Sequence, residues 1–287
     1  MTPTRFATLG AVLAAAVAYF GPAAAEIVET RELEESLSVA AGEPLVVIVK
    51  NVIGPVRVTG HDRNSVEMHA TETVHADLQA DIARARTEMQ LMTEQEPGRI
   101  AFRVRSNRED GDCNCRDWQR WNDYRVEYDI ELRVPRNAAI ELSTVNDGDV
   151  IAEGVHGDFA LRNVNGAVQL VDARGSGSIT TVNGDVHAAF AQAPAEPTAF
   201  KTVNGKLDVT FPERLAAELA FQTMNGDVFT DFDVESLRDP PVVQTSRARG
   251  AFVLRSNRNS AFRVGGGGTR HTFNTLNGNI YVRKANP

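Results

Sequence analysis

Cysteine is nearly missing. The 287 residues contain two, Cys113 and Cys115, so neither a disulfide framework nor a four-thiolate zinc site can organise this chain. The G-x-S-x-G elbow, the Walker A loop and the H-E-x-x-H pair are also lacking, which removes the sequence signs of three large enzyme classes. Neither Gly175-Ser176-Gly177 nor the run Gly265 to Gly268 leads into a helix, so both read as loops rather than phosphate cradles. The formal charge is −8, with both signs interspersed and no basic stripe, which disfavours nucleic-acid binding. The six histidines, at 61, 69, 75, 156, 187 and 271, form no metal-binding pair and read as surface residues.

Long apolar runs are reduced to one. Arg5 precedes an uncharged stretch from Phe6 to Phe20, and Ala23-Ala24-Ala25 then offers an A-x-A-type cleavage site. That stretch is shorter than the roughly 20 residues a spanning helix needs, so residues 1–25 are expected to be a removed signal peptide. Removal of 25 of the 287 residues leaves 262, and the loss of Arg5 takes the charge from −8 to −9. The mature chain is expected in the periplasm or at the cell surface, with no transmembrane anchor and no lipid-bearing cysteine at Glu26.

What the sequence has in plenty is one phrase. Val182-Asn183-Gly184-Asp185-Val186, Val203-Asn204-Gly205-Lys206-Leu207 and Met224-Asn225-Gly226-Asp227-Val228 are copies. Asn165-Gly166 and Asn277-Gly278 mark two more, and Asn146-Asp147-Gly148 carries one extra residue. From Asn146 the asparagines advance by 19, 18, 21 and 21 residues, then by 52 to Asn277. A period near 20 signals a stacked supersecondary unit. Residues 26–135 read as an N-terminal β part, and 136–287 as the repeat array continuous with it. Strands are expected at 45–50, 56–59, 65–75, 88–95, 99–106 and 124–134, and one short surface helix at 76–86, where Leu78, Ile82 and Ala85 take helical spacing.

Asn-Gly is also the commonest hairpin turn, but a two-residue hairpin would set Val182 against Asp185 and Val203 against Lys206. A solenoid corner avoids that conflict. It is expected to put the residue before Asn and the residue two after Gly both inward, with Gly at positive φ. Asn165, Asn183, Asn204 and Asn225 would align as an amide ladder, and threonines 144, 181, 202, 223 and 275 as a parallel row. Asp149, Asp185 and Asp227 read as solvated turn residues, because Ala167, Lys206 and Asn279 fill their slot elsewhere and break any carboxylate ladder.

Several of these segments together resemble the bacterial putative-adhesin family of β-strand repeats. They are Asn51 to Gly60, Val134 to Asn137 leading to Glu141-Leu142-Ser143-Thr144, the Thr-Val-Asn-Gly-Asp-Val units, and Gly265 to Gly268 before the last Asn-Gly. The resemblance implies an all-β, right-handed β-helix-like solenoid, here with coils of 18–21 residues, on an exported envelope protein. It implies no catalytic residues and no cofactor.

The loop 107–123 departs from that family. Asp110, Asp112 and Asn114 have calcium-loop spacing, but Cys115 and Trp121 stand where the turn glycine and the bidentate glutamate belong. For Cys113 and Cys115 three states stay open: a strained local disulfide, free or intermolecular thiols, and metal or redox use. Trp118, Trp121 and Tyr124 form either a cap over the end of the stack or a sugar-stacking platform. The favoured function is a non-enzymatic adhesin-like, scaffolding or recognition protein with an unidentified envelope component or glycan as partner. Alternatives are a carbohydrate-binding module on the Trp118/Trp121/Tyr124 loop and a β-helix polysaccharide-degrading enzyme. Self-association through strand edges is a further expectation.

Overall fold

The computed structural model describes residues 10–12, 26–106, 123–237, 243–248, 251–256 and 260–285. These residues are mostly β with one short helix, arranged as two long, largely parallel sheets of 13 and 11 strands. Each coil contributes one strand to each sheet, and the chain turns between them at the Asn-Gly corner. In Gly177–Thr180 and Val186–Phe190, for example, the first strand pairs with Phe159–Arg162 and the second with Val168–Ala173, all parallel. Hairpin pairing at the repeats is therefore excluded.

Alternation along each strand sends every second side chain between the sheets. Register then turns those side chains into rows. Val56, Val150, Val168, Val186, Leu207, Ile280 and Val228 face one another from strand to strand in the first sheet. Val49, Leu142, Leu161, Ile179, Phe200, Phe273 and Phe221 do so in the second. All are buried, each worth roughly 1.5–3 kcal/mol. Toward the C-terminal end the rows become aromatic: Phe190 stacks on Phe211 at 5.2 Å and Phe200 on Phe273 at 5.1 Å.

Stacking order departs from sequence order. The last coil, Thr269–Asn277 and Ile280–Lys284, lies between the coil of Leu207–Phe211 and the coil of Ala217–Asn225. The 52-residue step before Asn277 is the excursion that makes this possible: the chain forms an outer layer, including antiparallel Ser260–Val264, and returns to fill the gap.

Strands fall within two residues of their expected bounds, and the helix occupies Gln79–Glu88 rather than 76–86. It packs on Ser65–Ala76 and Tyr124–Pro135 and buries Ile82 and Ala85, while Leu78 precedes it and stays exposed. One strand absent from the sequence reading, Ile27–Ser38, pairs antiparallel with Ser65–Ala76 near that end of the first sheet, and Gly10–Val12 pairs antiparallel on its other side.

His271 corrects the surface reading of the histidines. It is 1% exposed, stacks on Phe211 at 5.5 Å, and its Nδ1 has no hydrogen-bond partner. Desolvation lowers its pKa to about 4. Between the unfolded value near 6.5 and that folded value, the unfolded chain binds a proton that the folded chain refuses. Its stabilising contribution is present above pH 6.5 and lost as pH falls toward 4. His271→Phe is expected to remove up to about 3 kcal/mol of that acid loss, read as denaturant midpoints at pH 7 and pH 4.5.

Candidate functional site

Every corner distributes its residues in the same way. The threonine two places before Asn points inward, and its hydroxyl donates to the corner-glycine carbonyl of the neighbouring coil. Thr181 Oγ1 reaches Gly166 O at 2.9 Å, Thr202 reaches Gly184 O at 2.9 Å, and Thr275 reaches Gly205 O at 3.1 Å. Asn163 replaces the threonine in one coil and donates to Gly148 O at 2.9 Å. A buried hydroxyl is tolerated here because it satisfies a carbonyl that the sheet ladder leaves over. Thr202→Val keeps the shape and removes that bond. It is expected to cost about 1–3 kcal/mol in a urea titration.

The residue before Asn turns outward, against expectation. Val145, Val164, Val182, Leu276 and Met224 are between 36% and 60% exposed, whereas the residue two after Gly is buried in every coil. Bending at the corner resets the alternation, so the two positions do not share a face. Beside this apolar row runs a continuous chain of amides. Asn165 Nδ2 donates to Asn146 Oδ1, Asn183 to Asn165 and Asn204 to Asn183, each at 2.8 Å. Asn277 then donates to Asn204 and Asn225 to Asn277, both at 2.7 Å.

Glycine is required here for a different reason than positive φ. Gly184, Gly205 and Gly226 lie outside the left-handed region, and Gly166 and Gly278, at φ 158° and 157°, sit near the extended limit. A Cβ on Gly205 would instead stand 2.0 Å from the carbonyl oxygen of Gly184, and one on Gly184 2.0 Å from that of Gly166. Successive corners touch backbone to backbone. The longer corner resolves its extra residue by placing Asp147 at φ 55°, where Arg125 holds its carboxylate at 2.9 Å.

The aspartates after Gly do more than face solvent. Asp149 Oδ1 accepts the Ala167 N–H at 2.8 Å, Asp185 Oδ1 accepts the Lys206 N–H at 2.9 Å, and Asn279 Oδ1 accepts the Asp227 N–H at 3.0 Å. In stacking order the slot reads Asp149, Ala167, Asp185, Lys206, Asn279, Asp227, so no two carboxylates stand at neighbouring levels.

Cys113, Cys115, Trp118 and Trp121 lie outside the described residues. Tyr124 begins the strand Tyr124–Pro135, where Ala76 is its partner. Its hydroxyl donates to the Glu88 carboxylate, and the Arg84 guanidinium sits 5.4 Å above its ring. Arg84 also binds Asp123 at 2.9 Å and Asp81 at 3.1 Å, and the bond to Asp123 raises the Arg84 pKa. One ring face is thus taken by a cation from the helix.

A groove of about 670 Å³ lies on the N-terminal part of the first sheet, lined by Arg57, Glu67, His69, Glu131 and Arg133 among others. Its charges answer one another: Arg57 meets Asp129 at 2.8 Å, and His69 lies 3.2 Å from Glu32. Among the described residues, no three His, Cys, Asp or Glu side chains converge as a metal site.

Residues 104–248, 145 of the 287, match the profile of the toastrack family DUF4097. Among solved structures, a putative cell adhesion protein from Clostridium sporogenes is similar at 11% identity and TM-score 0.41, over 89% of this chain and 100% of that one. A putative adhesin from Bacteroides fragilis is similar at 10% identity and TM-score 0.39, over 89% and 97%. No curated protein matches the chain. The chain belongs to the toastrack family DUF4097.

Proposed function

We propose that this is a non-enzymatic, exported, adhesin-like recognition protein whose binding face is the corner ridge, the row of valines beside the asparagine ladder. In this reading residues 1–25 are removed on export, and the coils of 18–21 residues wind as a right-handed β-helix-like solenoid in the periplasm or at the cell surface. The observation that carries it is the outward apolar residue at level after level of the stack. An exposed position of that kind needs no hydrophobe for folding, and a contiguous apolar band on a soluble protein marks an interaction site. After the ladder bonds are made, each amide keeps one N–H and one lone pair for a ligand. Levels repeat at about 4.8 Å, so an extended polymer laid along the stack meets the same apolar and amide pair again and again.

An envelope glycan is the partner class that suits this surface. The test is a glycan and envelope-component binding screen on the exported protein beside two variants, Val145→Ser/Val164→Ser/Val182→Ser and Trp118→Ala/Trp121→Ala. Binding lost in the valine variant and kept in the tryptophan variant supports the ridge. The opposite pattern moves recognition to the tryptophan loop, and absence of any binding removes the reading.

A further inference from the structure

Five corners carry Asn followed directly by Gly, the pair in which a backbone nitrogen meets least hindrance when it attacks the side-chain amide before it. For that attack the Gly N–H must give up its proton, and the Asn amide must swing over the Gly nitrogen. Four of the five corners oppose both steps. Gly166, Gly184, Gly205 and Gly278 each donate the N–H to the Asn backbone carbonyl of a neighbouring level, all at 3.0 Å. Asn165, Asn183, Asn204 and Asn277 have their amides held from both sides, Nδ2 donating to one level and Oδ1 accepting from the other.

The fifth corner, Asn225-Gly226, is the last level of the ladder. Asn225 Nδ2 donates to Asn277 Oδ1 at 2.7 Å, but among the described residues its own Oδ1 accepts no hydrogen bond and the Gly226 N–H has no acceptor. The layer beyond covers the strands on both sides of this corner and not the corner itself. Ser260–Val264 pairs with Ala217–Phe221, Ala251–Ser256 pairs with Val228–Thr230, and neither pairing reaches residues 222–227. Gly226 is exposed where the other four corner glycines are half-buried, and Met224, at 60%, is the most exposed residue of the ridge. Corners inside the stack open only when two coils part, whereas an end corner has a neighbour on one side alone. Glycine is nevertheless fixed at this position, because a Cβ at 226 would run into the carbonyl oxygen of Gly278.

We infer that Asn225 is a site of spontaneous, selective deamidation: the ladder protects its interior asparagines and leaves its terminal one open to the chemistry. The Gly226 nitrogen attacks Asn225 Cγ and forms the new C–N bond of a five-membered imide. The bond from Cγ to Nδ2 breaks, and ammonia leaves with the proton that Gly226 gave up. Water then opens the imide, its hydroxyl adding to one of the two carbonyl carbons and its proton returning to the Gly226 nitrogen. Attack at Cγ gives aspartate, and attack at the main-chain carbonyl gives isoaspartate, with the chain running through Cβ. No oxidant or reductant takes part. Either product brings a negative charge to one end of the corner ridge and, as a carboxylate with no N–H to give, loses the bond to Asn277 Oδ1.

The test is a time course of peptide mapping by mass spectrometry on the protein expressed from its full-length sequence and held folded in mildly alkaline buffer. The same chain unfolded in guanidinium gives a reference rate for each site, and circular dichroism follows the folded state throughout. Isoaspartate is counted by enzymatic methylation of its free α-carboxylate. With each folded rate divided by that site's own unfolded rate, Asn225 is expected to convert roughly tenfold or more faster than Asn165, Asn183, Asn204 or Asn277, the factor that the additional hydrogen bonds at those corners supply. Equal normalised rates at all five sites overturn the inference. So does an interior corner that converts first, or an Asn225 that keeps its amide over a period in which the unfolded chain converts.

Discussion

Gly205→Val is expected to lower stability by about 4 kcal/mol or more, while Lys206→Ala, one residue on, stays within about 0.5 kcal/mol. A Cβ at 205 would lie 2.0 Å from Gly184 O and 2.6 Å from Gly184 C. Neither is the movable end of a side chain. Both belong to a backbone fixed on two sides, because the Gly184 N–H donates to Asn204 O at 3.0 Å and the Gly184 carbonyl accepts Thr202 Oγ1. Relief therefore requires two coils to separate, which breaks the sheet ladder and the amide ladder together. Lys206 makes only a long contact to Asp185 at 3.6 Å between half-exposed partners. Substituting alanine there keeps the backbone N–H that Asp185 accepts. Thermal melts of the two variants beside the parent decide the matter, and equal melting temperatures would mean that corners do not touch.

Glu72→Ala is expected to cost about 3–5 kcal/mol. Its carboxylate is fully buried, and three elements converge on it. Arg31 from Ile27–Ser38 binds Oε1 at 2.8 Å, Arg86 from the helix binds Oε2 at 3.0 Å, and the Tyr128 hydroxyl donates to Oε1 at 2.8 Å. Burial and the adjacent carboxylate push the Tyr128 pKa far above its usual value, so that hydroxyl stays a donor at any physiological pH. Removing the carboxylate leaves two guanidinium groups beside a buried void with one remaining carboxylate between them. Arg86 keeps Glu29 at 2.9 Å, but Arg31 keeps nothing equivalent at that site. Glu72→Gln retains the shape and some hydrogen bonds, so it should fall between the parent and the alanine variant. Arg57→Ala is the surface comparison. Its pair with Asp129 is 42% exposed on both sides and is worth less than about 1 kcal/mol. Denaturant titration of the three variants tests the ranking.

The repeat phrase alone carried much of the fold. Asn-Gly at intervals near 20, with charge opposite Val in any hairpin, is enough to infer coils that stack, and both the amide ladder and the threonine row follow from alignment. Which side chains face inward at the corner was not legible, because strand alternation stops where the chain bends. Thr181 goes in and Val182 comes out since the hydroxyl finds Gly166 O inside. The glycine positions were readable but not their cause, which is contact between coils and has no local signature. Ile27–Ser38 escaped because Leu33 and Leu37, four apart among Glu and Arg, look like a helical face until Ser65–Ala76 pairs with them. His271 was hidden only by being polar. It alternates with Phe273 and Thr275, which are buried too, and that alternation was the available signal. Sequence order gives no access to the placement of Asn277 between Asn204 and Asn225, for stacking order depends on which surface a returning coil can cover best. The ridge inherits this difficulty, since its continuity exists only after stacking.

Stacking order underlies both the ridge and the glycine contacts, so the decisive measurement is a cross-link between corners. In a Cys113→Ser/Cys115→Ser background, Asn204→Cys/Asn277→Cys should form a disulfide on mild oxidation, because neighbouring parallel strands bring Cα atoms to about 5 Å. Asn204→Cys/Asn225→Cys spans two strand spacings, about 9.6 Å, and should stay reduced. Peptide mapping that finds the 204–277 bridge and no 204–225 bridge is the predicted result. The reverse pattern would put the coils in sequence order and contradict this architecture.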